Sequence, residues 1–209
     1  MSFLSENRCQ TLWARDKKKF EEYAYILDFL PRGYLRESRP HFMGKPIAQA
    51  VGEDFFMLLE LVPKPNVPLS PGERVFIGKG FREKIDRITR RLNFEELTAF
   101  AKDELPRIIE KIVREREGKF VQFLNSAPPL TTKMHSLELL PRIGKKTMWV
   151  IIKEREKAPF VSYEDFEKRT GVNNIVGIII ERILTELKGN ERYYLFTVPP
   201  IPKEKAVGP

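Results

Sequence analysis

The chain has 209 residues, of which 42% are hydrophobic and 32% charged, the composition of an ordinary water-soluble globular protein. Its 37 basic and 29 acidic residues give a net charge of +8, which favours a polyanionic partner. The single cysteine, Cys9, excludes an intrachain disulfide and a cysteine-based zinc site. No stretch approaches the ~18 apolar residues that a membrane span needs, so the sequence predicts a cytoplasmic protein.

Short segments rich in aromatic and β-branched residues predict a sheet in the N-terminal half, after a basic leader at residues 1–20. Gly- and Pro-rich turns separate these segments. The expected strands are residues 22–31, 47–51, 55–62 and 73–78, followed by a strand within residues 79–92. Five short strands with one associated helix predict a small barrel over residues 21–124, with the OB-fold as first candidate and an SH3-like barrel as the alternative.

The C-terminal half has the apolar periodicity of helices. Asn93 and Glu96 form a capping-box pattern that predicts a helix ending at Gly118, kinked or restarted at Pro106. A Pro-rich connection then predicts a domain boundary, followed by an all-α domain at residues 125–190. Its first helix is expected to be capped by Thr131 or Thr132 and to run to Leu140, and later helices are expected to be capped by Ser162 and by Asn173 or Asn174. A final strand at residues 191–199 should pair with the barrel, and residues 200–209 should form a disordered tail, which makes the fold α+β.

Residues 137–166 contain the segment on which the functional interpretation depends. Leu140 and Pro141 end an apolar helix, Gly144 lies in a tight turn, and Lys145 and Lys146 begin the next helix. The start of a helix has unpaired N–H groups and a partial positive charge, so it is suited to binding a phosphate. The alternative interpretation is that these charges only solvate a helix face. For the downstream Lys153, Arg155 and Lys157, phosphate binding and a solvated face both remain open.

This segment resembles the helix-hairpin-helix module of nucleic-acid-binding proteins, whose hairpin usually reads Leu-Pro-Gly-Ile-Gly followed by basic residues. The resemblance implies that amides around Ile143 and Gly144 hold a backbone phosphate without reading bases. Two departures are Arg142, at the position of the first glycine, and Met148, at the position of a small packing residue. Because an arginine is disfavoured at positive φ, Arg142 predicts either an altered turn or an added phosphate contact.

The remaining candidate contacts lie in the N-terminal half, within basic segments that contain aromatic residues. Exposed rings stack on bases, and cations neutralise phosphates. The predicted contacts are Tyr34, Arg36 and Phe42 in the loop after the first barrel strand, and Arg87, Arg90 and Arg91 in the last one. Trp149 is predicted to be a packing residue, and His41 and His135 to be surface groups.

Taken together, the barrel, the PGERVFIG and NFEEL segments, the hairpin and the YYLF strand resemble an archaeal family of proteins of unknown function (DUF655). The likeness runs from about residue 20 to residue 199. It implies an OB-like barrel, a helix-hairpin-helix module and nucleic-acid binding.

An enzyme is the competing class. The GKKTMWVII segment also resembles base-excision glycosylases, which carry a catalytic aspartate about twenty residues further on, and Asp165 lies near that distance. However, an acid near a helix start needs no catalytic reason, and the sequence has no metal-ligand motif or phosphate loop.

The sequence therefore predicts a non-enzymatic protein without a metal or cofactor, which binds RNA or DNA with little sequence specificity. The alternatives are a protein-interaction scaffold in a ribosome-associated or DNA-repair assembly and, third, a DNA-repair enzyme.

Overall fold

The computed structural model describes residues 20–34 and 44–201, together with the backbone of residues 10–11. Within these ranges, the strands are β1 (Gln10–Thr11), β2 (Tyr23–Leu30), β3 (Ile47–Gly52), β4 (Leu58–Pro63), β5 (Arg74–Phe76), β6 (Ile85–Arg91), β7 (Pro129–Thr131), β8 (Met134–His135) and β9 (Tyr193–Tyr194). The helices are α1 (Ala99–Glu115), α2 (Glu117–Ser126), α3 (Lys145–Lys157), α4 (Tyr163–Thr170) and α5 (Ile175–Lys188). Short 3-10 helices lie at Phe94–Glu96 and Ser136–Leu139.

The chain divides into two compact units. The second unit is residues 106–185, and the first is formed by the residues before and after it. The first boundary therefore falls inside α1 at Pro106, through which the helix continues. This differs from the predicted boundary near residue 125 and from the predicted helix end at Gly118. The reason is that residues after Gly118 form a further helix, α2, whose buried Phe120 and Phe123 belong to the second unit.

The first unit contains a curled five-stranded sheet with the strand order β5-β2-β3-β4-β6. All its neighbouring pairs are antiparallel. The five strands expected from the sequence are thereby confirmed, including β6 within the basic segment. In the described ranges β5 and β6 are the two edges of the sheet and do not pair, which makes the sheet a half-barrel.

The three central strands of this sheet, β2, β3 and β4, bury residues on both faces and have nearly continuous apolar sequences. One face contributes Ile26, Ala50 and Leu61 to a core cluster. Side chains alternate along a strand, so Tyr25 and its β3 partner Val51 point to the opposite face, where they are also buried. A sheet covered on both sides needs apolar residues at successive positions rather than at every second one.

A buried carboxylate holds the start of the segment after α5. Glu186 accepts hydrogen bonds from the backbone N–H groups of Leu195, Phe196 and Thr197 at 2.6, 2.9 and 2.9 Å. The predicted closing strand at residues 191–199 is reduced to β9, which pairs in parallel with β1 and not with the five-stranded sheet. Part of the predicted basic leader thus forms β1, and the predicted tail lies beyond the described residues except for its first two.

The segment before the hairpin differs from the helix expected between Thr131 and Leu140. The Thr131 hydroxyl accepts the N–H groups of Lys133 and Met134, which closes a turn between β7 and β8. Only Ser136–Leu139 is helical, as a 3-10 helix. A hydroxyl that can cap a helix can equally close a turn, and the sequence pattern alone does not distinguish the two.

The helices after the hairpin begin where the sequence predicts. The Ser162 hydroxyl accepts the Asp165 N–H at 3.0 Å at the start of α4, and Asn174 Oδ1 accepts the Gly177 N–H at 3.1 Å at the start of α5. Gly171 ends α4 with a φ of 72°, a conformation that favours glycine. In the described part of the chain, no helix has the length and apolarity required to cross a membrane.

Candidate nucleic-acid interface

The hairpin of the second unit is a tight turn over residues 140–143. The Ile143 N–H donates to the Leu140 carbonyl oxygen at 3.1 Å, and Arg142 has a φ of 64°. A proline at the second position and a positive φ at the third are typical of a type II turn. Arg142 therefore adopts the conformation usually given to glycine, and the arginine has not abolished the turn.

Helix α3 begins directly after this turn, with Gly144 as its N-cap residue. Gly144 has an extended backbone (φ −88°, ψ 179°), and its carbonyl oxygen accepts the Met148 N–H at 2.9 Å. No side chain caps the helix within the described chain, so its first-turn N–H groups have no side-chain acceptor there. A Cβ at Gly144 would meet nothing within 4 Å, so the space beside this N-cap position is open.

Two lysines lie at this helix start. Lys145 and Lys146 are both exposed, and no ion pair joins either of them to a carboxylate among the described residues. Arg142 differs, because its Nη2 pairs with Glu181 Oε2 at 2.6 Å. Ile143, only 3% exposed, anchors the turn in the core of the second unit. The predicted turn residues thus divide into one buried anchor, one paired arginine and two cations that face solvent beside free amides.

His135 is the N-cap residue of the 3-10 helix that precedes the hairpin. Its Nδ1 accepts the Leu137 N–H at 3.1 Å, and Glu138 accepts the His135 N–H at 2.8 Å. Burial, reinforced by the positive charge of Arg155, lowers the pKa of His135, which keeps Nδ1 free to accept. The prediction of a surface histidine is wrong, because His135 is only 8% exposed.

The downstream basic residues of α3 have different surroundings. Arg155 donates to the carbonyl oxygens of Leu124 and Ala127, both at 3.1 Å, so it ties α3 to the end of α2. Lys157 pairs with Glu154 at 2.5 Å, whereas Lys153 is exposed. These contacts give Arg155 a structural role, whereas Lys153 and Lys157 are both exposed and Lys157 has an acidic partner.

Trp149 was predicted to be a packing residue, but it is 57% exposed and does not lie in the core. The apolar side of α3 is supplied instead by the buried Met148 and Ile151. Met148, which stands where the helix-hairpin-helix motif usually has a small residue, is therefore a buried core residue. The five apolar residues of α3 are consecutive (MWVII) and therefore point to all sides of the helix, so the tertiary structure decides which of them are buried.

Asp165 has structural partners. Its Oδ2 accepts the Val161 N–H and pairs with Arg169 Nη1, both at 3.2 Å. The carboxylate thereby stabilises the start of α4 and the loop before it. Its place in the sequence is explained without a catalytic role.

In the first unit, the predicted contacts Tyr34 and Arg90 belong to a polar network centred on Glu60, which is fully buried. The Tyr34 hydroxyl donates to Glu60 Oε2 at 2.8 Å. Arg90 Nη1 pairs with Glu96 at 2.8 Å, and Arg90 Nη2 lies 3.6 Å from Glu60. Gln49 links the network to α1, because its Oε1 accepts the Thr98 N–H at 2.8 Å. The polar ends of Tyr34 and Arg90 thus satisfy a buried carboxylate.

The other predicted contacts of this unit are dispersed. Arg91 is largely buried and donates from Nη2 to the Pro199 carbonyl oxygen at 2.8 Å, and burial lowers the pKa of its guanidinium. Arg87 is exposed and pairs with the neighbouring Asp86 at 3.0 Å. Arg36 and Phe42, like His41, lie outside the described residues.

An exposed aromatic that the sequence analysis missed lies between β5 and β6. Phe81 is 83% exposed, and Lys64 Nζ lies 4.3 Å from its ring centroid. The available signal was its place in a Gly-containing basic loop (KGFREK), where a core aromatic is not expected. Within the described ranges, no cluster of three or more His, Cys, Asp or Glu residues could hold a metal ion.

Comparison with known proteins agrees with the family resemblance. A sequence model described as "Protein of unknown function (DUF655)" matches residues 20–198. Uncharacterized protein MJ0038 of Methanocaldococcus jannaschii is 50% identical over 181 residues, which cover 86% of this chain and 81% of MJ0038. The crystal structure of Af1531 from Archaeoglobus fulgidus is similar with a TM-score of 0.76 and 46% identity, covering 85% of this chain and 100% of Af1531.

Proposed function

The chain belongs to the DUF655 family, and from the geometry of the chain we propose that it binds nucleic acid through a backbone phosphate. The phosphate is held by the first-turn amides of α3 and by Lys145 and Lys146. The observation that carries the proposal is the open, uncapped start of α3 flanked by two exposed lysines. Ile143 sets the position of these amides by fixing the turn in the core.

The proposed site has the properties of a phosphate contact rather than of a base-reading contact. Backbone N–H groups and lysines recognise phosphate oxygens, which are the same for every nucleotide. Binding should therefore have little sequence specificity and should weaken steeply with salt, because each neutralised phosphate releases counterions. The partner is RNA or DNA, and the proposed role needs no catalysis, metal or cofactor.

We propose the finer fold assignments on the same basis. The 3-10 helix, the turn at residues 140–143 and α3 support a helix-hairpin-helix module with a shortened first helix. The curled five-stranded sheet supports an OB-like barrel, and Arg87 and Phe81 are exposed groups available on it for a basic binding surface. A cytoplasmic location is part of this proposal.

The test is a charge reversal at the hairpin. Lys145→Glu/Lys146→Glu is compared with Lys133→Glu/Lys168→Glu, which changes the net charge equally at two other exposed lysines of the same unit. Binding of labelled generic RNA and DNA is measured by fluorescence anisotropy across a salt series. The hairpin variant should lose about two units of the salt slope and bind at least ~10-fold more weakly, while the control retains most of its affinity.

Equal losses in both double variants would show that net charge, and not the hairpin, governs binding. Absence of nucleic-acid binding by the unsubstituted protein, together with retained capture of a protein partner, would instead support the scaffold alternative. Base release that disappears in Asp165→Asn would support the enzyme.

A further inference from the structure

The exposed face of α3 contains an indole at the centre of a lysine cluster. Trp149 is 57% exposed, and Lys145, Lys146 and Lys153 are exposed on the same helix. These three lysines have no ion pair with another residue in the part of the chain that the structure describes. An exposed indole surrounded by lysines that form no ion pairs needs an explanation, because large aromatic rings are usually buried.

Helix geometry places these groups together. Residues three or four positions apart are neighbours on one helix face, so Trp149 is flanked by Lys145 and Lys146 on the turn before it and by Lys153 on the turn after it. Trp149 follows Lys145 by four residues, which is about 6 Å along the helix axis. The indole therefore lies one helical turn from the amides proposed to hold a phosphate.

The charge around the indole argues for a polyanion as its ligand. Glu156, one turn beyond Lys153, is the acid that shares this side of α3, so the face is basic at the hairpin end and neutralised only at its far end. A protein partner would need its own acidic and apolar groups in this arrangement. A nucleic acid offers phosphates next to flat rings in every nucleotide, and stacking on an aromatic side chain is independent of base identity.

We infer that Trp149 is a stacking platform for an unpaired base next to the phosphate held at Gly144, Lys145 and Lys146. The inference rests on the proposed function and deepens it, because it specifies the ligand as single-stranded nucleic acid or an unpaired end. In a duplex each base is already stacked on both sides within the helix, so the indole would have no free base face to contact. The site thus discriminates between strands by the availability of a base rather than by its sequence.

The experiment uses three ligands of equal length: a single-stranded oligonucleotide, the same strand with abasic sugars in place of bases, and a duplex. Trp149→Ala and Trp149→Phe are compared with Val161→Ala, a truncation of another strongly exposed apolar side chain of the same unit. In a Trp13→Phe background, Trp149 is the remaining tryptophan and its fluorescence reports stacking directly. Circular dichroism checks that each variant is folded.

We expect Trp149→Ala to bind the single strand about 10-fold more weakly, Trp149→Phe to stay within a few-fold of the unsubstituted protein, and Val161→Ala to be unchanged. The abasic strand and the duplex should bind Trp149→Ala and the unsubstituted protein equally. The single strand should quench Trp149 fluorescence, and the abasic strand should leave it unaltered.

Unchanged single-strand affinity in Trp149→Ala, or an equal loss for the abasic strand, would overturn the stacking inference while leaving the phosphate contact in place. If the unsubstituted protein binds the abasic strand and Lys145→Glu/Lys146→Glu does not weaken that binding, the phosphate contact itself is overturned. Absence of binding to all three ligands would overturn both.

Discussion

At the residue scale, a buried glutamate of the first unit, Glu21, organises a set of backbone donors. Glu21 accepts the N–H groups of Asp54, Phe55 and Met57 at 2.8, 2.9 and 3.1 Å, and so fixes the turn between β3 and β4. Burial raises the pKa of Glu21 to about 7, against the opposing effect of these three N–H donors. A carboxyl group with such a pKa makes the stability of the fold depend on pH.

The sign of this dependence follows from proton binding. The folded protein keeps the Glu21 proton up to about pH 7, whereas the unfolded chain releases it near pH 4.5. Since the folded state binds more protons between these values, the free energy of unfolding should fall as pH rises from 4.5 to 7, by about 3 kcal/mol at most. Urea unfolding at pH 5 and pH 8 measures the change, and Glu21→Gln is the control, since it lacks the titrating group. A change of the same size in both proteins would contradict the assignment.

The backbone conformation of Arg142 leads to a second prediction at this scale. A positive φ costs an arginine about 1 kcal/mol that glycine does not incur, and the exposed Arg142–Glu181 pair stabilises by less than about 1 kcal/mol. Arg142→Gly should therefore unfold at equal or higher urea concentration than Arg142→Ala, which loses the ion pair but retains the strain. A less stable glycine variant would show that the arginine side chain contributes more than its exposed ion pair suggests.

At the element scale, the capping box predicted at Asn93 and Glu96 is present, but it opens a different helix from the one expected. Glu96 accepts the Asn93 N–H at 2.9 Å, and the box begins the short 3-10 helix rather than α1. The Asn93 side chain also bonds to the backbone of Ile201, and the start of α1 is capped by Thr98, whose hydroxyl accepts the Ala101 N–H at 3.0 Å. A capping pattern records that a helical turn begins, and it does not record how long the helix will be.

Ser162 is a cap whose contribution can be measured. Its hydroxyl satisfies one of the free N–H groups at the start of α4, so Ser162→Ala should lower the free energy of unfolding by about 1 kcal/mol. Ser162→Gly should cost only a few tenths of that amount, because water reaches the amide when no methyl group covers it. Chemical denaturation of the two variants gives the comparison. Equal losses would mean that the side chain acts by packing and not by capping.

At the scale of the whole molecule, the C-terminal segment completes the first unit through Glu186. This residue lies on α5, is fully buried, and has the N–H groups of residues 195–197 around its carboxylate. A chain that ends at Asn190 would remove these three donors, and a buried carboxylate that loses hydrogen bonds is strongly destabilising. We expect this truncation to cost about 3 kcal/mol or more in urea denaturation. Adding Glu186→Leu to the truncated chain should recover part of that loss, and no recovery would place the cost elsewhere in the removed segment.

Elements with strong local signals could be predicted from the amino-acid sequence alone. The five strands of the curled sheet, the hairpin at Gly144 and the cap at Ser162 follow from apolar runs, a Pro-x-x-Gly turn and a hydroxyl before a helix. These features depend on residues close together in the chain. For the same reason, the exposed lysines beside the hairpin could be proposed as a phosphate site before any coordinates.

The partners of individual side chains depend on the tertiary structure. The ligand contacts of Tyr34, Arg90 and Arg91 stay predictions, and their polar groups contact Glu60, Glu96 and the Pro199 carbonyl oxygen, which lie 26, 6 and 108 residues away. Trp149 was predicted to be buried, but Met148 and Ile151 fill the core in its place. Whether a polar or aromatic group reaches solvent depends on what packs against it, and neighbours such as Glu60 and Pro199 come from distant parts of the chain that no local pattern specifies.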